Sequence, residues 1–273
     1  MAYIEKLLNL NNKVAIITGG GGVLAGKMAE GLVKSGVKVV LLDLLAENLI
    51  GIIQELSKFG TIIAKNCNVL HRNDLVKVRD EVISEFGKID ILINTAGGNM
   101  AGATIAPEQT IFDIDMEDFQ KVTDLNLNGS VLPSLVFGAV MAEQKEGSII
   151  NMSSMAADRI ITRVVGYSAS KAAITNFTKW MAVELAQKFG DGIRVNALAP
   201  GFFIGKQNKK LLLNNDGSLT ERGKTIVKNT PMKRFGEAEE LIGATLFLCS
   251  DSGKFITGVV LPVDGGFSAF SGV

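Results

Sequence analysis

Short, continuous apolar runs alternate with longer segments of helical periodicity along most of the chain. Runs of this kind are typical of parallel β-strands that helices cover on both faces. The pattern predicts strands at 13–18, 37–42, 61–64, 89–93, 147–152, 193–198 and 259–263. The intervening periodicity predicts helices at 25–35, 46–59, 73–86, 116–141 and 167–189.

No internal repeat, low-complexity tract or break in composition divides residues 1–273, which indicates one domain. We therefore expect an α/β fold of Rossmann type. In this doubly wound arrangement a parallel sheet of about seven strands carries helices on both faces.

Composition restricts the partners of the protein. Hydrophobic residues make up 47% of the chain and charged residues 21%, which is typical of a globular protein. The 28 basic residues balance the 28 acidic ones, so we expect neither a nucleic-acid nor a membrane partner. We find no signal peptide and no apolar stretch near the ~20 residues of a membrane span, and expect a cytoplasmic protein.

Three reactive side chains are expected to be structural. Cys67 and Cys249 lie in apolar or strand-like contexts without metal-ligand spacing, which suits buried thiols in a reducing compartment. His71 is the single histidine and is expected at the surface. The sequence predicts no metal site.

A glycine-rich turn, residues 18–26, joins the first predicted strand to the first helix. Glycines there let the backbone approach a pyrophosphate, and the helix N-terminus supplies N–H donors. Asp43 follows the second strand, within the ~20-residue interval expected for a carboxylate that binds the adenosine ribose. A carboxylate repels a 2′-phosphate, so NAD is favoured over NADP. The alternatives are a tight strand–helix turn and a simple strand-end acid.

Tyr167 and Lys171 lie one helical turn apart, and Ser154 follows an apolar strand. Reduction of a ketone needs a proton donor at the carbonyl oxygen, and oxidation of an alcohol needs the same group as a base. A nearby ammonium favours the phenolate, so we expect Lys171 to lower the pKa of Tyr167. Ser154 could hydrogen-bond the reacting oxygen. The alternative for the Tyr167–Lys171 pair is a surface contact on a helix.

Together these motifs resemble the short-chain dehydrogenase/reductase family over nearly the whole chain. The resemblance rests on residues 18–26, Asp43, Asp90 with 94–97, residues 126–129, Ser154, Tyr167, Lys171, Pro200 and Gly201. The resemblance implies that Asn126 completes a catalytic tetrad by keeping a proton-relay water near Lys171, which would also hold the nicotinamide ribose. It implies cofactor contacts at Thr18, Gly19, Gly22, Val23, Leu24, Asp43, Asn68, Val69, Asn94, Ala96, Gly97, Tyr167, Lys171, Pro200 and Gly201.

The chain departs from the family pattern in three places. Val23 and Ala25 stand where the last two glycines of the turn are usual, and Asn68 stands where an acid often contacts adenine. Gly205 stands where the family often has a residue with a hydroxyl side chain. The contact to the nicotinamide amide is therefore unassigned.

The chain also resembles the D-mannonate oxidoreductase (fructuronate reductase) subgroup. The resemblance lies at residues 18–24, 124–130, 200–203 with Gln207 and Asn208, and 263–273, whereas Ala25, Met100 and Met155 depart from it. It implies NAD(H)-dependent interconversion of D-fructuronate and D-mannonate at C5. Candidate substrate residues are Asn99, Met155, Arg163, Gln207 and Asn208.

Residues 205–235 contain eight basic residues and two acidic ones. A mobile basic lid over about 202–236 would concentrate an anionic substrate and shield hydride transfer from water. The alternative is a solvated loop. Arg159 and Arg163 are further carboxylate candidates, because arginine can bind a carboxylate through two hydrogen bonds.

Two alternatives for the whole protein stay open, a dehydrogenase for another substrate and a protein without catalysis. It could act on another polyol, a gluconate-type sugar acid or a ketoacyl substrate, or it could bind a dinucleotide without catalysis. The predicted helix that carries Lys171 is apolar on more than one side, which indicates a homotetramer or a homodimer.

Overall fold

A parallel sheet forms the centre of the computed structural model, which describes residues 3–205 and 208–272. The strand order is β3-β2-β1-β4-β5-β6-β7. The strands are β1 (Val14–Thr18), β2 (Lys38–Asp43), β3 (Ile62–Asn66), β4 (Ile91–Asn94), β5 (Gly147–Met152), β6 (Ile193–Pro200) and β7 (Val260–Val263). The predicted seven-stranded Rossmann-type sheet is confirmed.

Helices cover both faces of this sheet. They are α1 (Tyr3–Leu7), α2 (Val23–Lys34), α3 (Ile50–Leu56), α4 (Arg72–Phe86), α5 (Met116–Thr123), α6 (Gly129–Gln144), α7 (Val165–Phe189), α8 (Lys209–Leu212), α9 (Glu221–Asn229) and α10 (Glu240–Cys249). Side chains of β1 alternate between two hydrophobic clusters. Ala15 and Ile17 pack on the side of α2 and α10, and Val14 and Ile16 on the side of α4, α6 and α7.

The order of the strands reverses at β1, whose neighbours are β2 and β4. Thr18, the last residue of β1, lies opposite Leu42 on one side and Asn94 on the other. The chain leaves β1 and β4 in opposite directions, which opens a crevice at the carboxyl ends of these strands. Ligands of doubly wound sheets bind in such crevices.

The predicted helix at 116–141 is interrupted. Asp115 caps α5 by accepting hydrogen bonds from the backbone N–H groups of Glu117 and Asp118. A π-helical turn, Asp124–Asn128, then separates α5 from α6. Turns of this kind are frequent at functional sites, because they rotate the side chains that follow. The buried Asn126 lies on this one.

The stretch Met116–Gln144 is long and apolar enough to cross a membrane by length and composition, so the expectation that no such stretch exists is wrong. Half of its most apolar window is buried in the domain. Within that stretch, α6 packs against α4, α7, β4 and β5. A helix enclosed on several sides needs apolar residues around most of its circumference.

Four helices, α1, α8, α9 and α10, lie where the sequence pattern predicts none. The helices α8 and α9 belong to the segment expected as a lid, and α10 packs on α2. The ends of that segment lie side by side, because Phe203 pairs with Gly236 and the Gly236 N–H donates to the carbonyl of Phe202 (2.9 Å).

Candidate active site

The glycine-rich turn passes very close to the loop that follows β4. Gly19 has φ +63°, and a Cβ atom on it would lie 2.8 Å from Cα of Ala96. Gly22 is the N-cap of α2, which begins at Val23, two residues earlier than predicted. A narrow backbone cradle at a helix N-terminus suits a pyrophosphate, so these residues fit a dinucleotide.

Asp43 ends β2 beside this turn. Its carboxylate accepts hydrogen bonds from the N–H of Gly21 (3.0 Å) and from Nδ2 of Asn48 (3.2 Å). It therefore shapes the glycine turn and stands at the edge of the cradle. Its contact with a ribose stays a prediction.

Two predicted cofactor residues are buried behind the crevice. The Thr18 hydroxyl accepts hydrogen bonds from the N–H groups of Thr95 (3.1 Å) and Ala96 (3.2 Å). The Asn94 side chain donates to Ser134 (2.9 Å) and to Asn151 (2.8 Å). Both side chains are fully buried and hold the ends of the strands together. They position residues 95–97, and their contacts with a cofactor stay predictions.

The remaining cofactor residues lie at the carboxyl ends of neighbouring strands. The Asn68 side chain accepts from the N–H of Leu70 (3.0 Å), and Val69 is buried against Gly129. Pro200 ends β6, and the N–H of Gly201 donates to the carbonyl of Val263 (2.9 Å). Their contacts with a nucleotide stay predictions, as do those of Leu24 and Gly97.

Asn126 and Lys171 converge on Gly97. The Asn126 side chain accepts from the N–H of Gly98 (3.1 Å) and donates to its carbonyl (2.6 Å). Lys171 Nζ donates to the carbonyl of Met152 at the end of β5 (2.7 Å). A Cβ on residue 97 would lie 2.7 Å from Asn126 Oδ1 and 3.4 Å from Lys171 Nζ. Glycine at this position therefore allows the two polar side chains to approach each other.

Tyr167 and Ser154 complete the cluster. Lys171 Nζ lies 5.4 Å from the centroid of the Tyr167 ring, and the side chains of Ser154 and Tyr167 hydrogen-bond to each other. Ser154 also caps a short 3₁₀ turn, Met155–Ala157, by accepting from the N–H of Ala156 (3.1 Å). The four predicted catalytic side chains thus come together, although they come from the π-helical turn, the end of β5 and α7.

The electrostatics of the cluster differ from the sequence expectation. Burial raises the pKa of Tyr167, and its hydrogen bond with Ser154 opposes that rise. Burial lowers the pKa of Lys171 to about 8. The expected depression of the Tyr167 pKa by Lys171 is therefore wrong for the protein without cofactor. Tyr167 is a neutral phenol at pH 7, which is the form that donates a proton to a ketone.

The predicted substrate residues differ in their surroundings. Met155 is buried, and Asn208 holds its own turn by bonding the N–H of Gly205 (2.8 Å) and the carbonyl of Phe203 (2.8 Å). Asn99 donates to the Thr104 hydroxyl (2.6 Å), and its Oδ1 has no partner in the described part of the chain. Gln207 lies outside the described residues. The contacts of Met155, Asn208 and Asn99 with a substrate stay predictions.

The residues set aside as structural behave as expected. Cys67 and Cys249 are free and buried, and burial raises the pKa of each thiol to about 12. His71 is exposed at the N-cap of α4. Across residues 3–205 and 208–272, no group of three or more His, Cys, Asp or Glu side chains could hold a metal ion.

Two parts of the site carry no signal in the sequence. The carbonyl groups of Gly98 and Met152 hold Asn126 and Lys171, and every residue type offers a carbonyl. The requirement for glycine at residue 97 arises from atoms 29 and 74 positions away along the chain.

Comparison with known proteins agrees with this geometry. A family model described as Enoyl-(Acyl carrier protein) reductase matches residues 22–268. The fold and the converging Ser154, Tyr167, Lys171 and Asn126 side chains are those of an oxidoreductase that acts on alcohols and ketones. The chain belongs to the short-chain dehydrogenase/reductase family.

Three relatives illustrate the range of this family. An uncharacterized oxidoreductase of Bacillus subtilis, UxuB, is 45% identical over 97% of this chain and 98% of its own. A solved structure from Haemophilus influenzae, provisionally named a D-mannonate oxidoreductase and holding NAD, is also 45% identical. It covers 97% of this chain and 98% of its own, with a TM-score of 0.91. The 5-keto-D-gluconate 5-reductase of Escherichia coli is 31% identical over 96% of this chain and 98% of its own.

Proposed function

We propose that this protein is an NAD(H)-dependent dehydrogenase that interconverts the ketone and alcohol of a sugar acid, with D-fructuronate and D-mannonate as the pair. The observation that carries the proposal is the convergence of the Tyr167 cluster and the glycine cradle on one crevice. The name of the Haemophilus relative and the activity of the E. coli relative support a sugar acid as the substrate.

The residues divide the chemistry between them. NADH supplies the hydride when it is bound. Tyr167 donates its phenolic proton to the ketone oxygen, and the Ser154 hydroxyl holds that oxygen by a hydrogen bond. Once Tyr167 has given up its proton, the Lys171 ammonium stabilises the phenolate, because opposite charges attract strongly in a buried site. Asn126 fixes the backbone at Gly98, which keeps residues 97–98 beside Lys171.

Asp43 supports NAD as the cofactor rather than NADP. Its carboxylate lies at the glycine turn, where a 2′-phosphate would meet a negative charge. The proposal also keeps the expectation of a cytoplasmic protein that forms a homotetramer or homodimer. Exposed apolar side chains on α7 and α6, among them Trp180, Val183 and Leu135, support such an assembly.

The test is the loss of NADH absorbance when purified protein is mixed with D-fructuronate. A gluconate-type ketone, a β-ketoacyl substrate and NADPH serve as comparisons. Fast turnover confined to D-fructuronate and NADH would support the proposal. Turnover of another ketone would leave the catalytic cluster in place and replace the substrate. Tight NADH binding without turnover of any ketone would favour a non-catalytic dinucleotide-binding protein.

A further inference from the structure

A short loop, residues 99–105, directly follows the part of the backbone that the catalytic cluster holds. Asn126 bonds both backbone groups of Gly98 (3.1 and 2.6 Å), so the loop begins one residue beyond a fixed point. At the other end the Ile105 N–H donates to the carbonyl of Arg163 (3.0 Å), and Arg163 Nε donates to the carbonyl of Ile105 (2.7 Å). The loop is therefore fixed at both ends.

Asn99, the first residue of the loop, lies close to the catalytic amine. A Cβ atom on Gly97 would lie 3.4 Å from Lys171 Nζ. Consecutive Cα atoms are about 3.8 Å apart, so the Cα of Asn99 lies at most about 8 Å from that of Gly97. Asn99 is thus a neighbour of the reacting centre in space as well as along the chain.

The hydrogen bonds of Thr104 fix the orientation of the Asn99 amide. The Thr104 hydroxyl donates its proton to the carbonyl of Met100 (2.8 Å). Its contact with Asn99 (2.6 Å) is therefore an accepted hydrogen bond, because a hydroxyl has a single proton to donate. This places Nδ2 of Asn99 against Thr104 and turns Oδ1 away from it.

Oδ1 of Asn99 is buried and has no hydrogen-bond partner in the described parts of the chain. An unpaired buried acceptor is costly, so most such atoms in native proteins bind a donor from a ligand, a water or the protein. Two other buried atoms share this feature, on Asn94 and Ser168. Asn94 is enclosed at the end of β4, and a helical serine such as Ser168 can turn its hydroxyl to a backbone carbonyl. Asn99, by contrast, is partly exposed beside the cluster.

We propose that Asn99 accepts a hydrogen bond from a hydroxyl of the substrate, that Thr104 positions its amide, and that this contact selects polyhydroxylated ketones. A site with a fixed acceptor rejects a substrate that lacks the matching donor, because the acceptor is then left unpaired. The inference rests on the proposed function and names a determinant of its substrate class.

The test compares D-fructuronate with 5-oxohexanoate, which has the same carbon chain, ketone and carboxylate but no hydroxyl group. The measure is the kcat/KM value for D-fructuronate divided by that for 5-oxohexanoate. We expect Asn99→Leu, which removes the amide at similar size, to lower this ratio about 10-fold. Thr104→Val should lower it about 3-fold, because the amide loses its fixed orientation. Thr104→Ser should restore the ratio, because serine keeps the hydroxyl.

Thr123→Val is the matched control. Thr123 is also partly buried, and its hydroxyl also donates to the carbonyl four residues earlier (3.0 Å), but no described amide donates to it. We expect the wild-type ratio in this variant. An equal fall in Thr123→Val and Thr104→Val, or an unchanged ratio in Asn99→Leu, would overturn the proposal. A higher KM for NADH in Asn99→Leu would also overturn it, because the acceptor would then serve the cofactor.

Calorimetry separates this proposal from the proposed function and decides it where turnover is too slow to measure. The quantity is the affinity of D-mannonate for the enzyme–NADH complex, a pair that cannot react. Weaker binding to Asn99→Leu than to Thr123→Val would support the hydroxyl contact even if the wild type does not reduce D-fructuronate. Equal binding to both variants, or no binding to the wild type, would overturn the contact and leave the dehydrogenase proposal standing.

Discussion

Replacing Lys171 with methionine is expected to stabilise the protein while it abolishes turnover. Lys171 is buried, and its ammonium donates to the carbonyl of Met152. Burial lowers the pKa of Lys171 from 10.5 to about 8. Because one pKa unit corresponds to about 1.4 kcal/mol, holding the charged amine in this site at pH 7 costs about 3 kcal/mol.

The direction of the pH dependence follows from proton binding. Between the folded pKa of about 8 and the unfolded value of 10.5, the unfolded chain holds more protons at this site than the folded protein does. The contribution of Lys171 to the free energy of unfolding of the wild type therefore rises with pH across that window. Methionine does not titrate. We expect Lys171→Met to be about 1–3 kcal/mol more stable than wild type at pH 7, since the lost bond to Met152 offsets part of the gain. The difference should shrink towards about pH 10.

Urea unfolding without cofactor, repeated at several pH values, measures this difference. Lys179→Met is the matched control, because Lys179 is an exposed lysine on the same helix and should show no such dependence. A Lys171→Met protein that is less stable at pH 7, with a gap that does not change with pH, would refute the argument that the buried ammonium is a cost to folding.

Three further predictions concern the crevice. Tyr167→Phe should lower kcat at least about 100-fold while NADH binding, followed by fluorescence, is retained; near-wild-type turnover would disprove its role as proton donor. Asp43→Ala should narrow the preference for NAD over NADP, measured as the ratio of the two kcat/KM values. An unchanged ratio would mean that another residue binds the adenosine ribose and sets this preference. Gly97→Ala should lower kcat about 10-fold or more, because the new Cβ would lie 2.7 Å from Asn126 Oδ1 and displace it. Full activity of that variant would show that the Asn126 contact is dispensable.

Much of this protein can be predicted from local patterns. The apolar runs predict the strands, and the residues at strand ends predict where the crevice lies, because parallel strands bring their carboxyl ends to one edge. Tyr167 and Lys171 can be recognised as a pair because one helical turn separates them. Ser154 and Asp43 follow from their places after apolar strands.

Tertiary structure alone decides what each polar side chain faces. Thr18 and Asn94 stand at strand ends like Asp43, yet both are enclosed between elements distant in sequence. The pKa values of Tyr167 and Lys171 depend on burial, which spacing along a helix does not specify. Sequence periodicity thus determines the elements and their order, whereas the packing between them sets the charges and neighbours on which chemistry depends.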